Sequence, residues 1–371
     1  MQRCLRRKAG WLLRWGTAIV ASLAAAGTVA ALEPELGMFR LTISGESIEG
    51  SPLAIGTDTV CFLSRDGKLW NLPRSATKAW QQIGDRFRPY APSEFRAELL
   101  RELGDGYEVS GTTHYLIAHP RGQKDRWATR FEELYRNFVR YFRVRGFTSQ
   151  TPPYPLVGIV CRNRDEFRRI TQQSGQTVSE NVLGYYDRLS NRILIYDIAA
   201  TSEAMRVAST DDAVIYHEAT HQMAFNTGLH ERTGETPLWL AEGLATLFEA
   251  PGIYDASAHP SLIDRINRGR LAEFRSRLRK RHTEEVIRYT IGSDAIFRDH
   301  VELAYPESWA LVFYLTEKHP REFARYLRVT ASRPAFGKYR ATDRLRDFLQ
   351  CFGGDWKMLN ARFLRFIDSL P

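Results

Sequence analysis

Cysteine is scarce, with four residues in 371, at positions 4, 61, 161 and 351. None pairs as Cys-x-x-Cys, which excludes a thiolate metal site of that kind. With Cys4 inside the N-terminal leader described below, the three others permit at most one disulfide and leave an odd thiol. Internal repeats and low-complexity segments are also absent, so neither a solenoid nor a compositionally biased linker is expected. Acidic residues are missing from the first 31 positions. What is present is ordinary for a globular chain: 43% hydrophobic and 26% charged residues, with length for two or three folding units.

The N-terminus stands apart. Arg3, Arg6, Arg7 and Lys8 precede a largely apolar stretch from Trp11 to Ala31 that ends in the small-x-small triplet Val29-Ala30-Ala31. Residues 1–31 therefore read as a signal peptide, and export to the periplasm, cell envelope or exterior follows. Arg14 leaves about 17 uncharged residues from Trp15 onward, the short edge of a membrane span, so an uncleaved anchor is the alternative and would tie the protein to the membrane. Removing the five basic residues of this segment lowers the whole-chain charge of +9 to +4, which makes no case for a nucleic-acid partner. The most basic later stretch, Asp264 to Arg281, reads as a solvated helix face.

Residues 36–75 alternate in strand fashion around an Arg65-Asp66-Gly67-Lys68 turn and are expected to form a small β-rich, SH3-like module. Residues 90–260 alternate helix and strand: a helix over Pro92–Leu103, strands within Tyr107–Ala118, an aromatic-striped helix over Trp127–Arg145, a buried strand over Leu156–Cys161 and a hairpin over Gly184–Asp197. The last segment, residues 261–371, reads as a helical lobe.

Between hairpin and lobe lies Val214-Ile-Tyr-His-Glu-Ala-Thr-His-Gln222. Residues four apart share a helical face, so His217 and His221 can present imidazole nitrogens to one ion, with Glu218 beside them. The helix is expected to start after Ser209-Thr210-Asp211-Asp212 and to end near Asn226-Thr227-Gly228. A catalytic zinc site needs a third protein ligand. Glu242, in the otherwise apolar Trp239-Leu-Ala-Glu-Gly-Leu-Ala-Thr-Leu-Phe248 helix opened by Pro237, is the candidate, since a carboxylate there is costly to bury without a cation or donors.

His217-Glu-Ala-Thr-His221 followed by Trp239-Leu-Ala-Glu242-Gly-Leu-Ala resembles the gluzincin zinc peptidases, a clan that includes thermolysin and the aminopeptidase N family. From Thr113 to Leu315 the frame also resembles an uncharacterised bacterial family of predicted secreted peptidases. The resemblance implies an α+β, zincin-like catalytic domain with a mixed sheet and an active-site helix, followed by the helical lobe. It implies one Zn²⁺ on His217, His221 and Glu242, Glu218 as general base, and a peptide or protein substrate. Tyr305, in Tyr305-Pro-Glu-Ser-Trp, is similar to the family's catalytic tyrosine, and Glu249 to a glutamate that orients a histidine ligand. The aminopeptidase Gly-x-Met-Glu-Asn signature is replaced by Gly184-Tyr-Tyr-Asp-Arg, so aminopeptidase specificity does not carry over. A rival from another class is an envelope binding or structural protein with little or no hydrolysis, and a third reading is metal-dependent cleavage of a non-peptide bond. Tyr314 is expected in the core; His230 and His300 are polar residues able to line a cleft, with an ordinary surface role expected of each.

Overall fold

The computed structural model describes residues 37–43, 45–122, 127–173, 182–196, 208–278 and 286–371. The expected leader or anchor over residues 1–31 lies outside them, as do the end of the hairpin at Asp197 and the last residues of the basic stretch. Among the described residues the fold is mixed α+β with two five-stranded sheets. Among the described residues no helix is long and apolar enough to cross a membrane.

The chain divides into two compact units. The first comprises residues 28–235 with 330–338. Its N-terminal sheet is antiparallel, built from β1 (Met38–Ile43), β2 (Glu46–Ile55), β3 (Thr59–Ser64), β4 (Leu69–Pro73) and β5 (Gln81–Gly84) in the order β4-β3-β2-β1-β5. The Arg65–Lys68 turn forms as its Asp-Gly pair predicts: Gly67 has φ +83°, and Ser64 Oγ donates to Asp66 Oδ1 at 2.6 Å. β2 carries no such signal, because Gly50 and Pro52 lie inside it. The register shifts between Pro52 and Ala54, and a Cβ at Gly50 would stand 2.0 Å from the Leu63 carbonyl oxygen, so the glycine is required by close backbone approach. Leu41, Ile48, Phe62 and Leu72 form this sheet's core.

The second sheet is mixed. β6 (Tyr107–Gly111), β7 (Tyr115–Pro120), β8 (Leu156–Cys161), β9 (Gly184–Asp187) and β10 (Arg192–Tyr196) are ordered β6-β7-β8-β10-β9, with the β7-β8-β10 centre parallel and both outer pairs antiparallel. Every residue of β8 is buried, as a central strand covered on both faces must be. One face carries α1 (Pro92–Leu103) and α3 (Arg164–Gln173), which pack Phe95, Leu99 and Phe167 onto Leu116, Val157 and Ile159. α2 (Ala128–Arg143) and α4 (Ala208–Asn226) pack on β7, β9 and β10 and on each other. Cys61, Cys161 and Cys351 are free and buried, and burial pushes the Cys161 thiol up to about 12.

The second unit comprises residues 236–329 and 339–371 and is helical. It contains α5 (Leu238–Leu247), α6 (Pro251–Tyr254), α7 (Arg268–Leu278), α8 (Val286–Gly292), α9 (Ala295–Asp299), α10 (Val301–Lys318), α11 (Pro320–Ala331, whose last two residues belong to the first unit), α12 (Ala341–Phe352) and α13 (Trp356–Asp368). α10 is its central rod, buried continuously from Pro306 to Thr316 and packed against α5, α7, α8, α9 and α13. Tyr314 is in this core, 2% exposed, as expected.

Candidate metal centre

α4 is anchored by the residues that face the sheet. Ile215, Ala219 and Met223 are buried, and Gln222 donates through Nε2 to the carbonyls of Val157 (3.0 Å) and Asn191 (2.7 Å). Asn226 donates to Asn191 Oδ1 at 2.7 Å, and Tyr186 donates its hydroxyl to the same oxygen at 2.9 Å. The C-terminal end of the helix is thereby bonded into the β9–β10 turn. Gly228, with φ +83°, follows the helix where a C-cap is expected. The N-terminal end differs from expectation: α4 begins at Ala208, so Ser209–Asp212 lie within the helix.

The next face of α4 carries His217, half-buried, and His221, 4% exposed. Their Nε2 atoms lie 3.3 Å apart and their rings meet edge-on at 77°.

Glu242 sits mid-way along α5, 7% exposed among buried neighbours from Trp239 to Leu247. Two features of its own unit place that helix. Asp294 Oδ1 accepts from the Leu238 amide at 3.0 Å, covering an orphan donor of the first turn, and is itself gripped by Arg344 through two bonds of 2.7 and 2.8 Å. Gly243 lets α5 close on α10: a Cβ there would stand 2.6 Å from both the Ser308 carbonyl oxygen and Val312 Cγ2.

His217 and His221 on α4 each offer an imidazole nitrogen, and Glu242 on α5 offers a carboxylate oxygen. The donor chemistry fits zinc, which takes two imidazoles and a carboxylate readily. The spacing fits as well. Two nitrogens bound at about 2.0–2.1 Å around a tetrahedral centre stand roughly 3.4 Å apart, close to the 3.3 Å found between the two Nε2 atoms.

Glu218 is next to His217 on α4, and its Oε2 accepts the backbone amide of Tyr186 at 2.7 Å. Tyr305 lies in the second turn of α10, which starts at Val301 and takes Pro306 inside it. Its half-buried ring packs edge-on against Phe297 with centroids 5.6 Å apart, and the Arg270 guanidinium lies 5.4 Å from the ring centre. Glu249 is two residues past the end of α5, where its Oε2 accepts from Asn267 Nδ2 at 2.8 Å.

His300 is exposed, as expected, but His230 is not a surface residue. It is 3% exposed, its ring lies edge-on to Phe225, and Nδ1 is 3.0 Å from the Leu229 carbonyl oxygen. Burial and the His221 charge push its pKa down to about 3. A histidine just beyond a helix-ending glycine gives no sequence sign of this, because the burial comes from the chain folding back. The contribution of Tyr186 was equally hidden, since it is made by a backbone amide.

Among curated proteins none matches this sequence. The family described as "Protein of unknown function (DUF1570)" matches residues 211–337, about a third of the chain, beginning inside α4. Among solved structures, the chain is similar to a mutant of the M1 zinc metallopeptidase from Deinococcus radiodurans, at 15% identity and a TM-score of 0.39 over 71% of this chain. It spans 53% of that structure's length, about half.

Proposed function

We propose that the protein is an exported zinc-dependent peptidase of the gluzincin kind, with one Zn²⁺ held by His217, His221 and Glu242. The observation that carries this reading is the pair of histidine nitrogens on α4, 3.3 Å apart and so at the spacing of two ligands on one ion, with Glu242 supporting it as a buried carboxylate in the apolar α5. Zinc held there supplies Lewis-acid activation of water and of the scissile carbonyl.

The chain's own groups do the rest. Glu218 takes the proton of the attacking water and passes it to the leaving amine. With Oε2 bonded to the Tyr186 amide, Oε1 is the oxygen left for that transfer. Tyr305 donates its hydroxyl to the oxyanion as it develops. Glu249 acts behind the ligands, orienting a histidine. Among the described residues β9 has β10 on one side only, an edge able to pair with an extended peptide, which favours internal cleavage. The segment 1–31 directs export, or retains the protein at the membrane if it is not removed.

The test is metal analysis joined to cleavage of a peptide library, wild type against Glu218→Gln. About one zinc in both proteins with cleavage only by the wild type supports the reading. Zinc in both without cleavage by either turns it towards an envelope binding protein.

A further inference from the structure

Gly184 opens β9 against the side of α4. A Cβ built there would stand 2.6 Å from Val214 Cγ1 and 3.1 Å from both Glu218 Cγ and Ile195 Cγ2. The glycine is thus required by the approach of strand to helix. Two residues on, the strand uses that approach: the Tyr186 amide donates to Glu218 Oε2 at 2.7 Å. The strand is otherwise regular, with Ile195 opposite Gly184 and Ile193 opposite Tyr186 on β10. An edge strand has outward amides with no ladder partner, and this one is spent on a carboxylate.

We infer that the Tyr186 amide is the positioning donor for Glu218, and that Gly184 is present to bring it within reach. The inference takes Glu218's role as base from the function proposed above, while the contact itself stands apart from it. The terminal torsion of a glutamate is broad and roughly two-fold, so nothing intrinsic chooses which oxygen faces the reacting water. A backbone donor fixed by the sheet makes that choice without a side chain whose rotamer must itself be held. It also shapes substrate pairing. Groups two apart on a strand point the same way, so a peptide laid along β9 finds the 186 amide committed and bonds at Gly184 and at the 186 carbonyl.

The test compares Gly184→Ala, Val214→Ala and the double variant in the zinc-loaded full chain. The single Gly184 change is expected to lower kcat roughly 10- to 100-fold, the range seen when a supporting contact is lost, with KM within about threefold and zinc content unchanged. Val214→Ala alone should resemble wild type. In the double variant the collision with Val214 Cγ1 is gone, and kcat should return to within about threefold of wild type, a rescue that general destabilisation would not give. Hydrogen exchange at the Tyr186 amide should quicken in Gly184→Ala and recover in the double variant. Normal kcat in Gly184→Ala, or failure of the double variant to recover, overturns the inference.

A second arm needs neither a substrate nor the glycine variants. Glu218→Ala should speed exchange at the Tyr186 amide at least tenfold, and unchanged exchange there overturns the inference. This arm decides the matter even if Gly184→Ala does not fold. Wild-type protein that cleaves no peptide would count against the proposed function alone.

Discussion

His217 Nε2 and His221 Nε2 face each other across 3.3 Å, one turn apart on α4, and Glu242 is the carboxylate proposed to complete the ligand set. Glu242 is the member that the two-histidine motif does not contain, so its removal tests the set. Glu242→Ala should weaken zinc binding by more than the ~10–100-fold typical of losing a group behind the ligands. Competition with a chelating dye measures this. Unchanged affinity would remove Glu242 from the site.

Glu218→Gln preserves shape and cannot take a proton. It should retain zinc and lose about 10²–10⁴ in kcat, the usual worth of a general base. Activity within a few-fold of wild type would give the proton transfer to another group.

Tyr305→Phe keeps the ring against Phe297 and deletes only the hydroxyl. If that hydroxyl donates to the oxyanion, kcat should fall about 10²–10³-fold with KM little changed. An effect confined to KM would make Tyr305 a binding residue.

His230 sets a pH dependence of stability. Its pKa of about 3 in the folded protein lies below the 6.5 of a free histidine, so between those values the unfolded chain binds a proton that the folded chain does not. Stability contributed by this residue is therefore whole above pH 6.5 and lost as pH falls towards 3, at up to about 1.4 kcal/mol per pH unit. Melting of chelated His230→Gln should decline less steeply between pH 6.5 and 5 than that of chelated wild type. Equal slopes would contradict the burial of a neutral imidazole.

Gly243 sets two effects against each other. Helix propensity alone says that Gly→Ala within α5 stabilises by about 1 kcal/mol. The 2.6 Å approach to the Ser308 carbonyl says otherwise, because backbone cannot step aside as a flexible side chain does. Overpacking costs about 1–3 kcal/mol, so Gly243→Ala should lower the melting temperature. A rise would show that α5 and α10 have room to part.

Much of the candidate site was legible because the side chains proposed for it lie at fixed offsets on two helices. His217 and His221 are four apart, Glu242 is a lone carboxylate in an apolar run, and Pro237 marks the start of α5. The hairpin was legible from alternation. What escaped obeys tertiary contacts instead. β2 contains Gly50 and Pro52, which read as breakers until the bulge and the close Leu63 carbonyl account for them. α10 starts at Val301 despite Pro306, which is buried inside the helix's second turn. His230 is buried by the returning chain, and the donor to Glu218 is a backbone amide that no residue type announces.

The account stands on one zinc ion at three named side chains. Diffraction from zinc-loaded crystals on either side of the zinc absorption edge tests it most directly. The account predicts one strong anomalous peak about 2.0–2.1 Å from His217 Nε2, His221 Nε2 and a Glu242 carboxylate oxygen. A zinc peak elsewhere, or none there at saturating zinc, would contradict it.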